Sequence, residues 1–195
     1  EEAPSVSITP DTRKLITESA LKLVKGIGYH NAGTVEFLMD DSGSFYFLEM
    51  NTRIQVEHPV SEMITGTDLV KEQILVAEGA SLSFRQEDLQ IRGHAIEARI
   101  YAEDPLQDFM PSTGTIEKLI PPHAQKIRLD SGYCEGNRVE SFYDPMIAKL
   151  IAHGENRAQA VNILTDSLKE LHITGLSTNR DYLISLLNNP LFADN

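Results

Sequence analysis

Glu36 and Glu49 raise the first chemical question. Glu36 lies in Thr34-Val35-Glu36-Phe37-Leu38-Met39 and Glu49 in Phe45-Tyr46-Phe47-Leu48-Glu49-Met50, with Asp40-Asp41-Ser42-Gly43 between the two runs. Alternating patterns on either side of such a turn read as a β-hairpin, with strands over 33–40 and 44–50. With a two-residue Ser42-Gly43 loop the glutamates face each other, their Cβ atoms about 5 Å apart. A four-residue loop makes them diagonal neighbours on the same face. Like charges so placed destabilise a sheet unless something positive sits between them. Hard divalent cations such as Mg²⁺ favour oxygen ligands of this kind and keep further positions for substrate phosphates. The plainer alternative is two glutamates on a solvated sheet face.

The next residues add to the case. Asn51-Thr52-Arg53-Ile54-Gln55-Val56-Glu57-His58 continues the second strand. If extended, Glu49, Asn51, Arg53, Gln55 and Glu57 all project to one side. That strip offers a metal ligand, an amide, an anion-binding guanidinium and a base. The eight steps from Glu49 to Glu57 would cover ~26 Å, too far for one reacting atom. The segment must therefore bend, or serve a long site that takes more than one substrate.

Several elements have to position these groups. Thr9-Pro10-Asp11 reads as an N-cap, a first-turn proline and an acidic first turn. Ile16, Ala20, Leu23, Val24 and Ile27 follow at helical spacing, and Gly28 stops the helix. Pro59 opens a short helix ended by Gly66, and Asp68 caps another closed by Gly79. Residues 80–90 lose periodicity and mark a boundary. Strand patterns follow at His94–Ala102, Gly114–Ile120, Lys126–Asp130 and Met146–His153. Asn156 then caps a helix with Ala160, Leu164, Leu168 and Leu171 on one face, and a loop, His172–Asn179, leads to a last helix around Tyr182–Leu187. The order of elements predicts an α+β fold, not regular βαβ alternation.

Composition narrows the function classes. The 195 residues include 29 Asp+Glu and 17 Lys+Arg, a net charge of −12, and 41% are hydrophobic. This is an ordinary globular composition, which excludes a disordered tail, a collagen-like fibre and a disulfide-stapled mini-protein. The acidic balance argues against broad binding of nucleic acid or an anionic membrane. It leaves room for a local phosphate pocket. No apolar run approaches the ~20 residues needed to span a bilayer, and no signal peptide is visible. The single cysteine, Cys134, excludes an intrachain disulfide and favours a reducing compartment such as the cytosol. The start at Glu1-Glu2-Ala3-Pro4 and the stop after Pro190-Leu191-Phe192 read as cuts in a longer polypeptide.

Phe47-Leu48-Glu49-Met50-Asn51-Thr52-Arg53-Ile54-Gln55-Val56-Glu57-His58-Pro59-Val60 closely resembles the signature of biotin carboxylases, an ATP-grasp family. The resemblance continues through Met63–Leu69, Gly93–Ile100, Ala102–Pro105, Tyr143–Leu150 and Gly175–Asn179, in order, over essentially the whole chain. Glu-x-Asn-x-Arg alone is shared by many ATP-grasp enzymes, carbamoyl-phosphate synthetases among them. The extension through Gln55-Val56-Glu57-His58-Pro59 is far more specific. The resemblance implies the C-terminal part of an ATP-grasp domain, an antiparallel sheet with helices over about 1–88, followed by the biotin carboxylase C-terminal α+β domain over about 89–195.

It also implies a ligase. ATP phosphorylates bicarbonate to carboxyphosphate, and the carboxyl group passes to N1′ of biotin on a carrier domain. Glu36, Glu49 and Asn51 would hold Mg²⁺ (or Mn²⁺) on the ATP phosphates, and Leu38 would lie under the adenine. Arg53 would bind bicarbonate with Gln55 and the backbone N–H of Val56, and Glu57 would be the general base. Arg99 would stabilise charge on the biotin ureido oxygen, although an Arg99–Glu97 ion pair is the plainer reading of that residue. The implied partners are a biotin carboxyl carrier domain, a carboxyltransferase component and a second copy in a homodimer. The resemblance leans to an acyl-CoA or acetyl-CoA carboxylase of fatty acid metabolism, in the cytoplasm or, in a eukaryote, the mitochondrial matrix.

Lys149 reads as a partly exposed strand residue, and His58 and His94, without metal-ligand spacing, as structural or solvated. The family's glycine-rich lid and ATP-binding lysines have no counterpart in these residues, so little or no activity is expected of this polypeptide alone. Two other readings stand beside the first. One is another ATP-grasp ligase forming an amide or carbamoyl phosphate; the other is a non-catalytic oligomerisation module.

Overall fold

The structure is a computed structural model that describes residues 1–123 and 125–193. The last two residues of the expected C-terminal domain, 194 and 195, lie outside the described residues. The chain is α+β and divides into two compact units, Pro4–Ile91 and Arg92–Asn195 together with Glu1–Ala3. Sequence reasoning puts the division near 88/89 and assigns the first three residues to the N-terminal part. In the structure those residues join the other unit, because β1 (Glu2–Ala3) pairs with a strand some ninety positions away: Glu2 opposite Ile96 and Ala3 opposite Ala95.

In the Pro4–Ile91 unit, α1 (Pro10–Gly26) starts where Thr9 Oγ1 accepts the Thr12 N–H at 3.1 Å. It ends at Ile27, before Gly28 at φ +65°. Strands β2 (Thr34–Met39) and β3 (Phe45–Asn51) form the hairpin. Helix α2 (His58–Thr65) is closed by Gly66 at φ +72°, and α3 (Leu69–Ala77) is capped by Asp68 Oδ1 on the Lys71 N–H at 2.9 Å.

The other unit is built on an antiparallel sheet. Strand β4 (His94–Tyr101) lies between β1 and the nine-residue β11 (Met146–Gly154), and β9 (Ile127–Ser131) flanks β11, giving the order β1-β4-β11-β9. Two-stranded ribbons surround it: β5 (Glu103–Asp104) with β6 (Met110–Pro111), β7 (Gly114–Thr115) with β10 (Arg138–Val139), and β8 (Lys118–Ile120) with β12 (His172–Thr174). Helix α4 (Arg157–Glu170) starts at Asn156, whose Oδ1 accepts the Gln159 N–H at 3.0 Å. It is followed by α5 (Arg180–Leu187) and α6 (Pro190–Ala193).

Alternation sorts the two sheet faces. Ile96, Ala98, Ile100, Leu150 and Ala152 point into a core shared with Val161, Leu164 and Leu168 of α4. The opposite face carries Glu97 and Arg99 of β4, Lys149 of β11, and Arg128 and Asp130 of β9.

Three local expectations need correction. The predicted strand 114–120 is split: after β7, Ile116 N–H bonds Asn137 O and Glu117 N–H bonds Thr174 O, so the chain changes partners at a buried isoleucine. The predicted loop 172–179 begins with β12, the partner that the second half of that split strand requires. Lys149 is buried, at 8% exposure, because β11 is an inner strand with Arg99 and Asp130 directly opposite on its two sides. Its Nζ lies 3.7 Å from Asp130 Oδ2.

Candidate active site

The hairpin brings Glu36 and Glu49 directly opposite each other, by a route the sequence does not show. Asp40 N–H bonds Ser44 O, so the loop holds three residues, Asp41–Gly43. Asp40 Oδ1 accepts from the Ser42 N–H and hydroxyl and from the Ser44 N–H, and the Ser42 hydroxyl bond holds its carboxyl below the usual range. A regular ladder from this turn pairs Met39 with Phe45, Leu38 with Tyr46 and Phe37 with Phe47. Continued, it would set Leu48 opposite Glu36. A bulge intervenes between Glu36 and Phe37, and Glu49 becomes the partner. The same bulge changes which odd-numbered residues of β3 face which side. Phe45 and Phe47 meet Phe37 edge-on, at ring separations of 5.5 and 6.4 Å, while Glu49 and Asn51 share the face of Glu36.

The chain bends once β3 ends at Asn51, which resolves the 26 Å difficulty. Asn51 Nδ2 donates to Glu36 Oε1 at 2.7 Å and to Glu49 Oε1 at 3.2 Å. Gln55 Nε2 reaches back to the same Glu36 oxygen at 2.7 Å. Arg53 donates through Nη1 to Ile54 O at 3.1 Å and through Nη2 to Asn51 Oδ1 at 3.5 Å. The Asn51 amide thus bridges the two carboxylates, where like charges need compensation, and the Gln55 amide adds a second donor on Glu36. Glu36 is half-buried and Glu49 exposed, so the cluster stays open to solvent.

Five of the expected site residues, Glu36, Glu49, Asn51, Arg53 and Gln55, therefore form one hydrogen-bonded group. Val56 and Glu57 sit in the turn leading to α2, both half-buried, with Glu57 at the helix N-cap position. Leu38 is on the same β2 face as Glu36 and is exposed, offering an apolar platform. Arg99 belongs to the other unit. There its Nη2 bonds Glu1 Oε1 at 2.8 Å, not the Glu97 partner that strand spacing proposes. Residue types alone could not have found that bond, because Glu1 reaches Arg99 only through β1 pairing. Sequence reasoning also passed over what His58 does: its Nδ1 meets Gln55 O at 2.7 Å, fixing the turn that carries Gln55 toward Glu36. His94, the other histidine set aside, is buried and bonds Glu2 at 2.8 Å, a structural role in holding β1.

The donor set can be tested against a metal. Among the described residues no group of three or more His, Cys, Asp or Glu could enclose an ion. The cluster supplies two carboxylates and, on rotation of Asn51, an amide oxygen. That fits Mg²⁺, which binds through one or two carboxylates plus substrate phosphates and suits all-oxygen donors.

Comparison with known proteins gives the lineage. Residues 97–195 match the biotin carboxylase C-terminal domain, and residues 1–85 match the carbamoyl-phosphate synthase L chain, ATP binding domain. The alpha chain of the mitochondrial methylcrotonoyl-CoA carboxylase of Glycine max is 49% identical over 99% of this chain and 26% of its own length. A pyruvate carboxylase component of Methanothermobacter thermautotrophicus is 50% identical over 98% of this chain and 39% of its own length. The biotin carboxylase domain dimer of the Hydrogenobacter thermophilus 2-oxoglutarate carboxylase, solved with MgADP, ADP and bicarbonate, superposes with a TM-score of 0.96 at 44% identity, covering 99% of this chain and 43% of that one. The chain thus spans well under half the length of these relatives. With the ATP-grasp hairpin in one unit and the matched C-terminal fold in the other, the chain belongs to the biotin carboxylase family.

Proposed function

We propose that the protein containing this chain is a biotin carboxylase, which uses ATP and bicarbonate to carboxylate biotin on a carrier domain by way of carboxyphosphate. The observation that most favours this reading is the convergence of Glu36, Glu49, Asn51, Gln55 and Arg53 into one open polar cluster. Magnesium held by Glu36, Glu49 and Asn51 would neutralise phosphate charge on ATP during phosphoryl transfer. Leu38 offers an apolar surface to the adenine. The Arg53 guanidinium is planar and suits a planar oxyanion, so it takes bicarbonate, with Gln55 and the Val56 N–H completing the contact. Glu57 removes the bicarbonate proton. Arg99 stabilises the negative charge that develops on the biotin ureido oxygen.

On the same reading, residues about 1–88 close the ATP-grasp domain and about 89–195 form the C-terminal domain. A carrier domain and a carboxyltransferase component complete the protein, which works as a homodimer. Support for the dimer is the description of the Hydrogenobacter relative as one. The compartment is reducing, either cytosol or mitochondrial matrix. An acyl-CoA acceptor is in keeping with the Glycine max relative, and near-equal identity to a pyruvate carboxylase component is as much in keeping with pyruvate.

The test is made on the full-length protein with labelled bicarbonate, ATP, magnesium and free biotin. Labelled carboxybiotin formed in step with ADP supports the reading. Carbamoyl phosphate or a ligated amine as the product would replace it with another ATP-grasp ligase, the reading that the match over residues 1–85 also allows.

A further inference from the structure

We infer that Asn179 is a positioning residue for Arg99. This inference rests on the proposed role of Arg99 at biotin. Strand β4 is paired along one edge by β11, where Lys149 stands opposite Arg99. On its other edge the Glu1 backbone takes the N–H and C=O of Glu97 at 2.8 and 3.0 Å. Further along that edge lie the C=O of Arg99 and the N–H and C=O of Tyr101, and Asn179 meets all three. Its Nδ2 donates to Arg99 O at 3.1 Å, its Oδ1 accepts the Tyr101 N–H at 3.0 Å, and its own N–H donates to Tyr101 O at 3.2 Å. A side-chain amide carries the same donor and acceptor as a peptide unit, so Asn179 continues the β ladder for one step as if it were a strand residue.

Local context supports a dedicated use. Asn179 occupies the N-cap position of α5, where an asparagine side chain ordinarily bonds the first helical N–H groups. Here it makes no capping bond and turns to β4. It is 7% exposed, so both amide bonds are sheltered from competing water. The guanidinium of Arg99 remains partly exposed, with 28% of its side chain accessible. Backbone clamped from both edges beneath an accessible cation is the arrangement that preorganised charge stabilisation requires.

The experiment uses the full-length enzyme and reads carboxybiotin formed per ATP hydrolysed, with variants Asn179→Ala, Asn179→Asp and Arg99→Ala and the double variant Arg99→Ala/Asn179→Ala. Asn179→Asp keeps the acceptor for Tyr101 and loses the donor to Arg99, so it tests the inference even where Asn179→Ala unfolds. Expected is a tenfold or larger fall in the ratio for the folded single variants, and no further fall when Asn179→Ala is added to Arg99→Ala. A purely structural Asn179 would lower carboxylation and ATP hydrolysis in equal proportion, or multiply the Arg99→Ala defect; either result overturns the inference. If Arg99→Ala itself leaves the ratio at the wild-type value, the reading of Arg99 fails and the inference falls with it.

Discussion

In the proposed mechanism Glu57 is the residue on which the chemistry turns most directly. A carboxylate acting as general base contributes about 10²–10⁴-fold to rate. Glu57→Gln in the full-length enzyme should therefore lower bicarbonate-dependent turnover by at least ~10²-fold while nucleotide affinity, measured by titration, stays close to wild type. Turnover near the wild-type rate would remove Glu57 from the base role. Glu97 poses a different question. It is 3% exposed, neither carboxylate oxygen has a hydrogen-bond partner among the described residues, and burial, only partly offset by Lys149, pushes its pKa up to about 7. With the folded value above the ordinary 4.5, the unfolded chain ionises first. Stability from this group is therefore complete below about pH 4.5, falls as pH rises, and is fully lost above about 7. Melting curves at pH 5 and pH 8 should show this fall, on the order of 2–3 kcal/mol, shrinking in Glu97→Gln. An unchanged pH difference would mean that Glu97 is not the group responsible.

Among the elements, the hairpin and the split strand show how much depends on single irregularities. The three-residue loop alone would have faced Glu36 with Leu48, and the bulge in β3 supplies the opposing carboxylate. Sequence reasoning reached the right pair through a two-residue loop, because a shorter turn and a longer turn with one bulge give the same register at Glu36. The change of partners after β7 depends on Gly175, at φ +100°. A Cβ there would collide with Thr115 O and lie 3.0 Å from Glu117 N, backbone atoms that cannot yield. Gly175→Ala should cost roughly 1–3 kcal/mol through backbone strain alone, with the collision adding to it. A melting temperature within a degree of wild type would contradict this account of the crossing.

Across the full chain, the two units carry different shares of the reading. The Pro4–Ile91 unit holds the carboxylate and amide cluster, and the unit built on the four-stranded sheet holds Arg99. These 195 residues contain Glu36 and Glu49, the carboxylates proposed to hold magnesium, but no glycine-rich phosphate loop. Assayed alone, the chain should show no bicarbonate-dependent ATP hydrolysis with free biotin above background. Turnover at a rate normal for a complete enzyme would show that the nucleotide site needs nothing more.

Whatever depends on a few neighbouring residues was legible in the order of the amino acids. Thr9, Asp68 and Asn156 announce helix starts because a short oxygen-bearing side chain meets an N–H three residues on. The hairpin, the buried β11 and the run from Glu49 to Glu57 were legible for the same reason, through alternation and side-chain type. Which distant groups share a hydrogen bond was settled in three dimensions. Gln55 meets Glu36 across 19 positions and Asn179 meets Arg99 across 80. The tripeptide at the start of the chain becomes the edge strand of the other unit's sheet. Unpaired backbone groups on a strand edge accept any correctly placed donor or acceptor, whether peptide or side chain. No local pattern says which distant residue will be there, and packing of the core settles it.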